Sequence, residues 1–501
     1  MLGHSLLRKF TSVRLKDDEV LLFTSLLEAS EALGKNTVLR AAGGWVRDKL
    51  LGIESHDIDI ALDNVPGDEF ALFLHERVKA KESSYGDISS IGVVRENPNQ
   101  SKHIRTATFK YYGFDIDMNN LRSETYADDS RIPEVQFAKD PSEDAYRRDF
   151  TINALYYNLN SKEIEDYTGT GLDDLENGII KTPLQAEKTF VDDPLRVLRA
   201  IRFAARFGFR LHQDITAAWN QKIVREGLVN KVSRERIGIE ISKMMKGRNS
   251  LDACELLIQS GLLRQILTAP ISAEAPSLAG ISKKDYDEWK LVFRPKDSYP
   301  LDHGAVLRRL KSMEASSLSA TQIYFAGLSL LFLESIFELD QSNPALVARL
   351  SMKLSSSDSK TVGSILLSLK GIQSTAQRLM DSKISNDEAA VELGRVIRGS
   401  VKENFPVALR LALSMPSDES DVEVPARLRK IEELVSAYSL TDCHSWRPVI
   451  DGSEIATLLE VKPGPIMQKL VACEFDYMFT GERDRDVIID ALRKCQGGAL
   501  E

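Results

Sequence analysis

The sequence has few of the residues that mark several common protein classes. Its four cysteines (Cys254, Cys443, Cys473, Cys495) are scattered and form no Cys-x-x-Cys pair, and its seven histidines are dispersed. That leaves no zinc-ligand pattern and no dense disulfide framework. Reduced thiols are the simplest expectation, with the adjacent Cys443-His444 read as structural. No apolar run reaches the length needed to span a bilayer, so no membrane partner is expected. Excess positive charge is missing too: 65 Lys and Arg against 74 Asp and Glu give a net −9. This excludes a protein that coats nucleic acid indiscriminately, and any RNA contact has to come from a local basic surface.

What remains is an ordinary globular composition, 43% hydrophobic and 28% charged, on a chain of 501 residues. Such a length is too great for one core and implies two to four domains. The first sixteen residues carry Arg8, Lys9, Arg14 and Lys16, no acid, and the hydroxyls Ser5, Thr11 and Ser12. This is a weak mitochondrial-presequence pattern, with a frayed basic terminus as the alternative.

The most informative stretch runs from Leu39 to Gly52 and is closed by His56-Asp-Ile-Asp-Ile-Ala-Leu62. It reads as a buried strand, a glycine turn, a short helix, then a strand with two aspartates. Gly43 and Gly44 allow a tight turn and close approach of a phosphate, and the helix beginning there offers free N–H groups to an anion. Asp57 and Asp59, two apart on a strand, leave the same face, as a pair of Mg²⁺ ions requires. Gly43-Gly44-x-x-Arg47-Asp48 followed by Asp57-Ile-Asp59 resembles the signature of polymerase-beta-type nucleotidyltransferases. The branch is the one holding CCA-adding tRNA nucleotidyltransferases and bacterial poly(A) polymerases.

Around this core the chain reads as a helix over Asp17–Leu33 ending at Gly34, a strand over Thr37–Ala42, and a helix from Pro66 to about Lys79. A loop over Ser83–Ser101 leads into a hairpin, Ile104–Tyr112 with Phe114–Met118. In the hairpin Asp115 and Asp117 share a face. The family pattern fits best with Asp117 as third carboxylate, and Asp115 is the alternative. Tyr146-Arg-Arg-Asp-Phe-Thr-Ile-Asn-Ala154 reads as a helix start that clusters Arg148, Asp149 and Asn153. An Arg, an acid and an amide suit ribose hydroxyls and a triphosphate. In the family this motif contacts the incoming nucleotide and distinguishes ribose from deoxyribose. Glu165–Leu175, with two glycines, resembles the family's hinge between head and neck.

Asp192-Asp-Pro-Leu-Arg-Val-Leu-Arg leads a helix ending at Gly208. On a wheel Arg196, Arg199, Arg202, Arg206 and, if the turn extends that far, Arg210 fall in one stripe of about 120°. The segment resembles the family's base-reading motif, which assigns the base contacts to Asp193 and Arg196, with Arg199 beside them. A carboxylate accepts from the N4 amino of cytosine or the N6 amino of adenine, while a guanidinium donates to the adjacent ring nitrogen. Uracil and guanine reverse the pattern. Asp192 stands where many bacterial members have Glu. Lys231–Met245 resembles the last motif, with Glu235, Arg236 and Glu240 buttressing the base-reading helix. Ser130-Arg-Ile-Pro133 and Lys462-Pro-Gly-Pro465 have a eukaryotic-type flavour.

The resemblance covers about residues 37–247. It implies an α+β head (a small mixed sheet with helices, residues 1–160), an all-α neck for base recognition (161–250), and a helical body and tail that bind tRNA (251–501). The implied activity is template-independent addition of C, C and A to the tRNA 3′ end from CTP and ATP. It proceeds by in-line attack on the α-phosphorus, with Mg²⁺ held by Asp57, Asp59 and Asp117. Gly43, Gly44, Arg47, Asp48, Arg148, Asp149, Asn153, Asp193, Arg196 and Arg199 would bind the nucleotide. A monomer is expected, in the cytoplasm with mitochondrial and nuclear pools. The alternatives are a poly(A) polymerase of the same superfamily and a non-catalytic tRNA-binding protein.

Overall fold

A computed structural model describes residues 12–80, 88–94, 106–125, 134–138, 140–267, 302–313, 318–333, 344–416 and 423–499. The presequence-like residues 1–11 and the Ser130–Pro133 motif lie outside these. The chain divides into two compact units, Met1–Ser233 and Arg234–Glu501. That boundary falls inside the stretch 161–250 that the sequence reading assigns to the neck.

The first unit opens with α1 (Asp17–Leu33), stopped by Gly34 in the left-handed conformation. Strands β1 (Leu39–Ala42), β2 (Asp57–Leu62), β3 (Gly92–Val94), β4 (Thr106–Tyr111), β5 (Phe114–Asn120), β8 (Leu155–Asn158) and β9 (Glu163–Asp166) form one mixed sheet in the order β3-β4-β5-β2-β1-β8-β9. A separate ribbon pairs β6 (Arg122–Thr125) with β7 (Glu134–Phe137). Only β2 and β5 run parallel in the large sheet; its other neighbours are antiparallel. The parallel step is made by α3 (Gly67–Lys79), which starts hard against β5. A side chain at Gly67 would meet the Met118 carbonyl at 2.5 Å. Ile58, Ile60, Ile116, Met118, Leu22 and Leu26 fill the core between helices and sheet.

The register sets the site. Asp117, Asp59, Ala42, Tyr156 and Glu165 lie in one row across β5, β2, β1, β8 and β9. In-register neighbours present their side chains to the same face. That face continues as small residues, Ala42 and Ala61, packed with Leu121, Ala145, Ala154 and Tyr156. The small side chains let α4 (Pro141–Tyr146) close down on the sheet.

Two sequence expectations need correction here. Residues 146–154 do not start a helix: a 3₁₀ turn over Thr151–Asn153 feeds β8, because Leu155-Tyr-Tyr completes the sheet and tertiary pairing overrides local spacing. Part of the expected loop 83–101 is the edge strand β3. The arginine helix runs as expected, as α7 over Leu195–Phe207, preceded by a separate helix α6 (Ala186–Asp192) that ends before Asp193 in extended conformation. Gly208 stops α7, so Arg210 lies on the short strand β11 (Arg210–Leu211) and leaves the stripe.

The second unit, where described, is all helical, from α10 (Arg234–Met245) through the long helix Ser356–Met380 to a final hairpin, Pro465–Phe479 and Arg485–Ala499. Glu235, Arg236 and Glu240 lie on α10. Pro465 takes the first helical position after Gly464, as its missing N–H favours. The hairpin brings Cys473 and Cys495 together in a disulfide, which corrects the expectation of four free thiols. Two residues 22 apart meet only because the helices fold back on each other. Cys254 and Cys443 are free and buried.

Candidate active site

Asp57 and Asp59 are exposed on β2 while Ile58 between them and Ile60 after them are buried, so both carboxylates leave one face. Parallel pairing sets Asp115 beside Asp57 and Asp117 beside Asp59. The two hairpin acids differ in their partners. Asp115 forms an ion pair with Lys110 at 2.7 Å, whereas Asp117 adds its charge to those of Asp57 and Asp59. Solvent reaches Asp59, yet protein crowds it. Burial first, then the charges of Asp57 and Asp117, push its carboxyl up to about 6 against the opposing pull of Arg148 and Arg122. Burial, then Asp117 and Asp115, also raise Asp57.

Among the described residues no three His, Cys, Asp or Glu side chains converge closely enough to cage one ion. The donor set still fits a hard divalent cation: it is all carboxylate oxygen, open to solvent, and carries like charges that burden one another.

The glycine turn follows β1 directly. Gly43 has φ +65° and donates to the Leu155 carbonyl at 2.9 Å. A side chain there would also lie 2.7 Å from a terminal nitrogen of Arg148. Gly43 is therefore fixed by two independent demands, its own conformation and the guanidinium pressed against it. Gly44 meets only ordinary contact with Arg47.

Helix α2 (Gly44–Leu50) carries Arg47 and Asp48 inward, 4% and 6% exposed. Arg47 bonds Asp48, donates to the Asn153 side-chain carbonyl, and lies over the rings of Phe203 and Phe207 at 5.0 and 4.8 Å. Asn153 donates to Asp149 at 2.9 Å, and Asp149 accepts from Arg199 at 2.8 and 2.7 Å. Burial opposes the Asp149 charge, but Arg199 and the Asn153 amide hold its carboxyl at about 2. Arg206 closes the loop on Asp48 at 3.3 Å. A continuous polar ring thus runs from α7 through Asp149, Asn153, Arg47 and Asp48 back to α7 two turns later.

At the front of α7 Asp193 accepts the Leu195 N–H at 3.2 Å, and the Arg196 guanidinium donates to the Arg147 carbonyl at 2.8 Å. Both side chains are half-buried. The connector resembling a hinge is tightly bonded. Asp166 accepts from the N–H groups of Thr168, Gly169 and Leu172, and a side chain at Gly171 would strike the Thr151 carbonyl at 2.7 Å.

Sequence reasoning gave no role to Asp144, Tyr156 or Arg206. Asp144 is 1% exposed and accepts from Arg147, Arg148, Tyr156 and the Arg122 N–H. A signal was present, since an acid three and four residues before two arginines makes short-range pairs on one helical turn. The Tyr156 contact depends on strand order and had none.

A family model described as "Poly A polymerase head domain" matches residues 39–181, and one described as "Probable RNA and SrmB- binding site of polymerase A" matches residues 208–283. The chain is 33% identical to the mitochondrial CCA tRNA nucleotidyltransferase of Saccharomyces cerevisiae, covering 86% of this chain and 83% of that protein. It is 33% identical to the tRNA nucleotidyltransferase cca1 of Schizosaccharomyces pombe, covering 92% of each. Among solved structures, the Thermotoga maritima CCA-adding enzyme complexed with tRNA shares the fold at TM-score 0.60 and 20% identity, over 97% of both chains. The Bacillus stearothermophilus enzyme in complex with CTP does so at TM-score 0.58 and 19% identity, over 97% of this chain and 100% of that one.

Proposed function

The chain belongs to the CCA tRNA nucleotidyltransferases, and we propose from that premise how its residues add C, C and A, without a template, to the 3′ end of tRNA from CTP and ATP. The observation that carries the reading is the acidic row: Asp57 and Asp59 leave one face of β2 with Asp117 in register beside Asp59.

As a nucleotidyltransferase the protein works with divalent metal ions. Mg²⁺ held by Asp57, Asp59 and Asp117 would supply activation of the attacking 3′-hydroxyl and neutralise charge on the departing pyrophosphate. Asp115, spent on Lys110, is left out of that set. Arg148 and the Gly43-Gly44 backbone face the triphosphate. Asp193 accepts the exocyclic amino group of C or A, and Arg196 donates to the neighbouring ring nitrogen. Arg199, part-exposed, is a further nucleotide contact. Arg47 and Asp48 are buried and bonded to each other, so they act by positioning α2 and α7. Asp149 and Asn153 reach the ribose by exchanging their mutual hydrogen bond.

These groups all come from one chain, so a monomer suffices, which light scattering of the purified protein checks. Two of the relatives are named mitochondrial, and a mitochondrial pool follows by analogy. The head family model is shared with poly(A) polymerases, but the relatives matched over most of the chain are CCA-adding. Incubation with tRNA lacking its terminal trinucleotide, Mg²⁺, and each nucleotide alone or paired tests the reading. Growth that stops after C-C-A supports it; a long A tail or no addition overturns it.

A further inference from the structure

Asp144 is buried, 1% exposed, yet it is tied to both halves of the site. One carboxylate oxygen, Oδ1, accepts from Arg147 at 2.8 and 2.6 Å and from the Arg122 N–H at 3.1 Å. The other, Oδ2, accepts from Arg148 at 3.1 and 3.0 Å and from the Tyr156 hydroxyl at 2.5 Å. Burial alone would push such a carboxyl up, but the two arginines outweigh it and hold it far below the ordinary range. The carboxylate is therefore a fixed anion with its acceptor sites filled.

Each side leads forward to a different part of the site. On the Oδ2 side, Arg148 lies over the Tyr156 ring at 5.0 Å, donates to the Asn153 carbonyl and presses on Gly43. Its charge is felt by Asp59, two strands along the same row from Tyr156. On the Oδ1 side, the carbonyl of Arg147 accepts from Arg196, the proposed base reader.

We propose that Asp144 is a positioning residue that sets both the guanidinium facing the acidic row and the guanidinium facing the base, with Tyr156 steering only the first. The inference rests on the proposed function above, because it needs Arg196 to read the base. It separates the effects of two substitutions. Asp144→Asn loosens both sides. It lowers kcat about a hundredfold, as an ångström-scale misplacement does, and raises the ratio of UTP to CTP incorporation about tenfold. Tyr156→Phe loosens the Oδ2 side alone, lowering kcat about fivefold with the ratio unchanged.

The experiment measures kcat, KM for CTP and the UTP/CTP ratio for wild type and both variants on tRNA lacking C-C-A, with thermal melts in parallel. The ratio is independent of the fraction of protein folded, so a merely structural role would leave it unmoved. A folded Asp144→Asn protein with the wild-type ratio overturns the proposal. If Asp144→Asn does not fold, Tyr156→Phe decides: unchanged kcat overturns the proposal, and a selective fall in kcat supports it. Wild-type protein that adds no nucleotide fails the underlying function, a result distinct from any difference among variants, and takes this inference with it.

Discussion

Asp59 is open to solvent and burdened by like charges, a combination that separates chemistry from folding. Replacing it with Ala removes a carboxylate that contributes repulsion to the metal-free protein. Asp59→Ala is therefore expected to keep its melting temperature while losing nucleotide addition by at least about a thousandfold. A single-turnover assay beside a thermal melt checks this, and full activity in the folded variant would refute the metal assignment. Asp193→Ala or Arg196→Ala is expected to admit UTP or GTP roughly tenfold more often, since discrimination by hydrogen bonding is lost with the partner. Unchanged selectivity in single-nucleotide extensions would remove the base-reading role. Asp149 gives the pH dependence. Its folded-state carboxyl is held at about 2 against an ordinary 3.8, so the stability it contributes is present above 3.8 and lost as pH falls toward 2. The contribution is worth roughly 2 kcal/mol. Urea unfolding of wild type and Asp149→Asn should show that gap at pH 7, shrinking as pH drops from about 4 to 2; a constant gap would contradict it.

At the scale of elements, the turn between β1 and α2 holds the most constraint in the fewest residues. Gly43→Ala meets both the positive φ and the Arg148 guanidinium 2.7 Å away. A stability loss of about 1–2 kcal/mol is expected, with a larger fall in kcat because Arg148 must move. Gly44→Ala, free of both demands, should lose far less stability; equal losses in the two melts would count against this account. These glycines were legible in the sequence because turn chemistry is local. So was α1, whose Gly34 stop stands where its apolar spacing ends. Residues 146–154 were not, because their helix-compatible run is cut short by β8, which begins at Leu155 and pairs with distant segments. The break at Asp193-Pro194 shows the same limit: acids and proline announce a helix start, but they do not say that another helix ends one residue earlier.

At the scale of the whole molecule, the described chain is two compact units, and the acidic row, the polar ring and α7 all belong to the first. Scanning calorimetry is expected to resolve two transitions, with CTP and Mg²⁺ raising only one of them, by several degrees. A single transition shifted as a block would contradict that. The acidic row could be anticipated because period-two spacing survives strand pairing. The Asp144–Tyr156 link could not, since it needs β8 to pair with β1 and α4 to pack on that face. The Cys473–Cys495 bond was hidden for the same reason, its partners meeting through a helical hairpin.

The ring from Arg199 to Arg206 has a mechanical meaning. A rod pinned at two points along its length can neither roll nor slide. On the proposed base-reading roles of Asp193 and Arg196, the socket at the head of α7 keeps its aim relative to the acidic row from the first cytidine to the terminal adenosine. On that proposal one rigid reader serves both letters, because they offer it the same donor–acceptor edge. The traffic across that socket, the advancing 3′ end and the base brought to meet it, is what has to move.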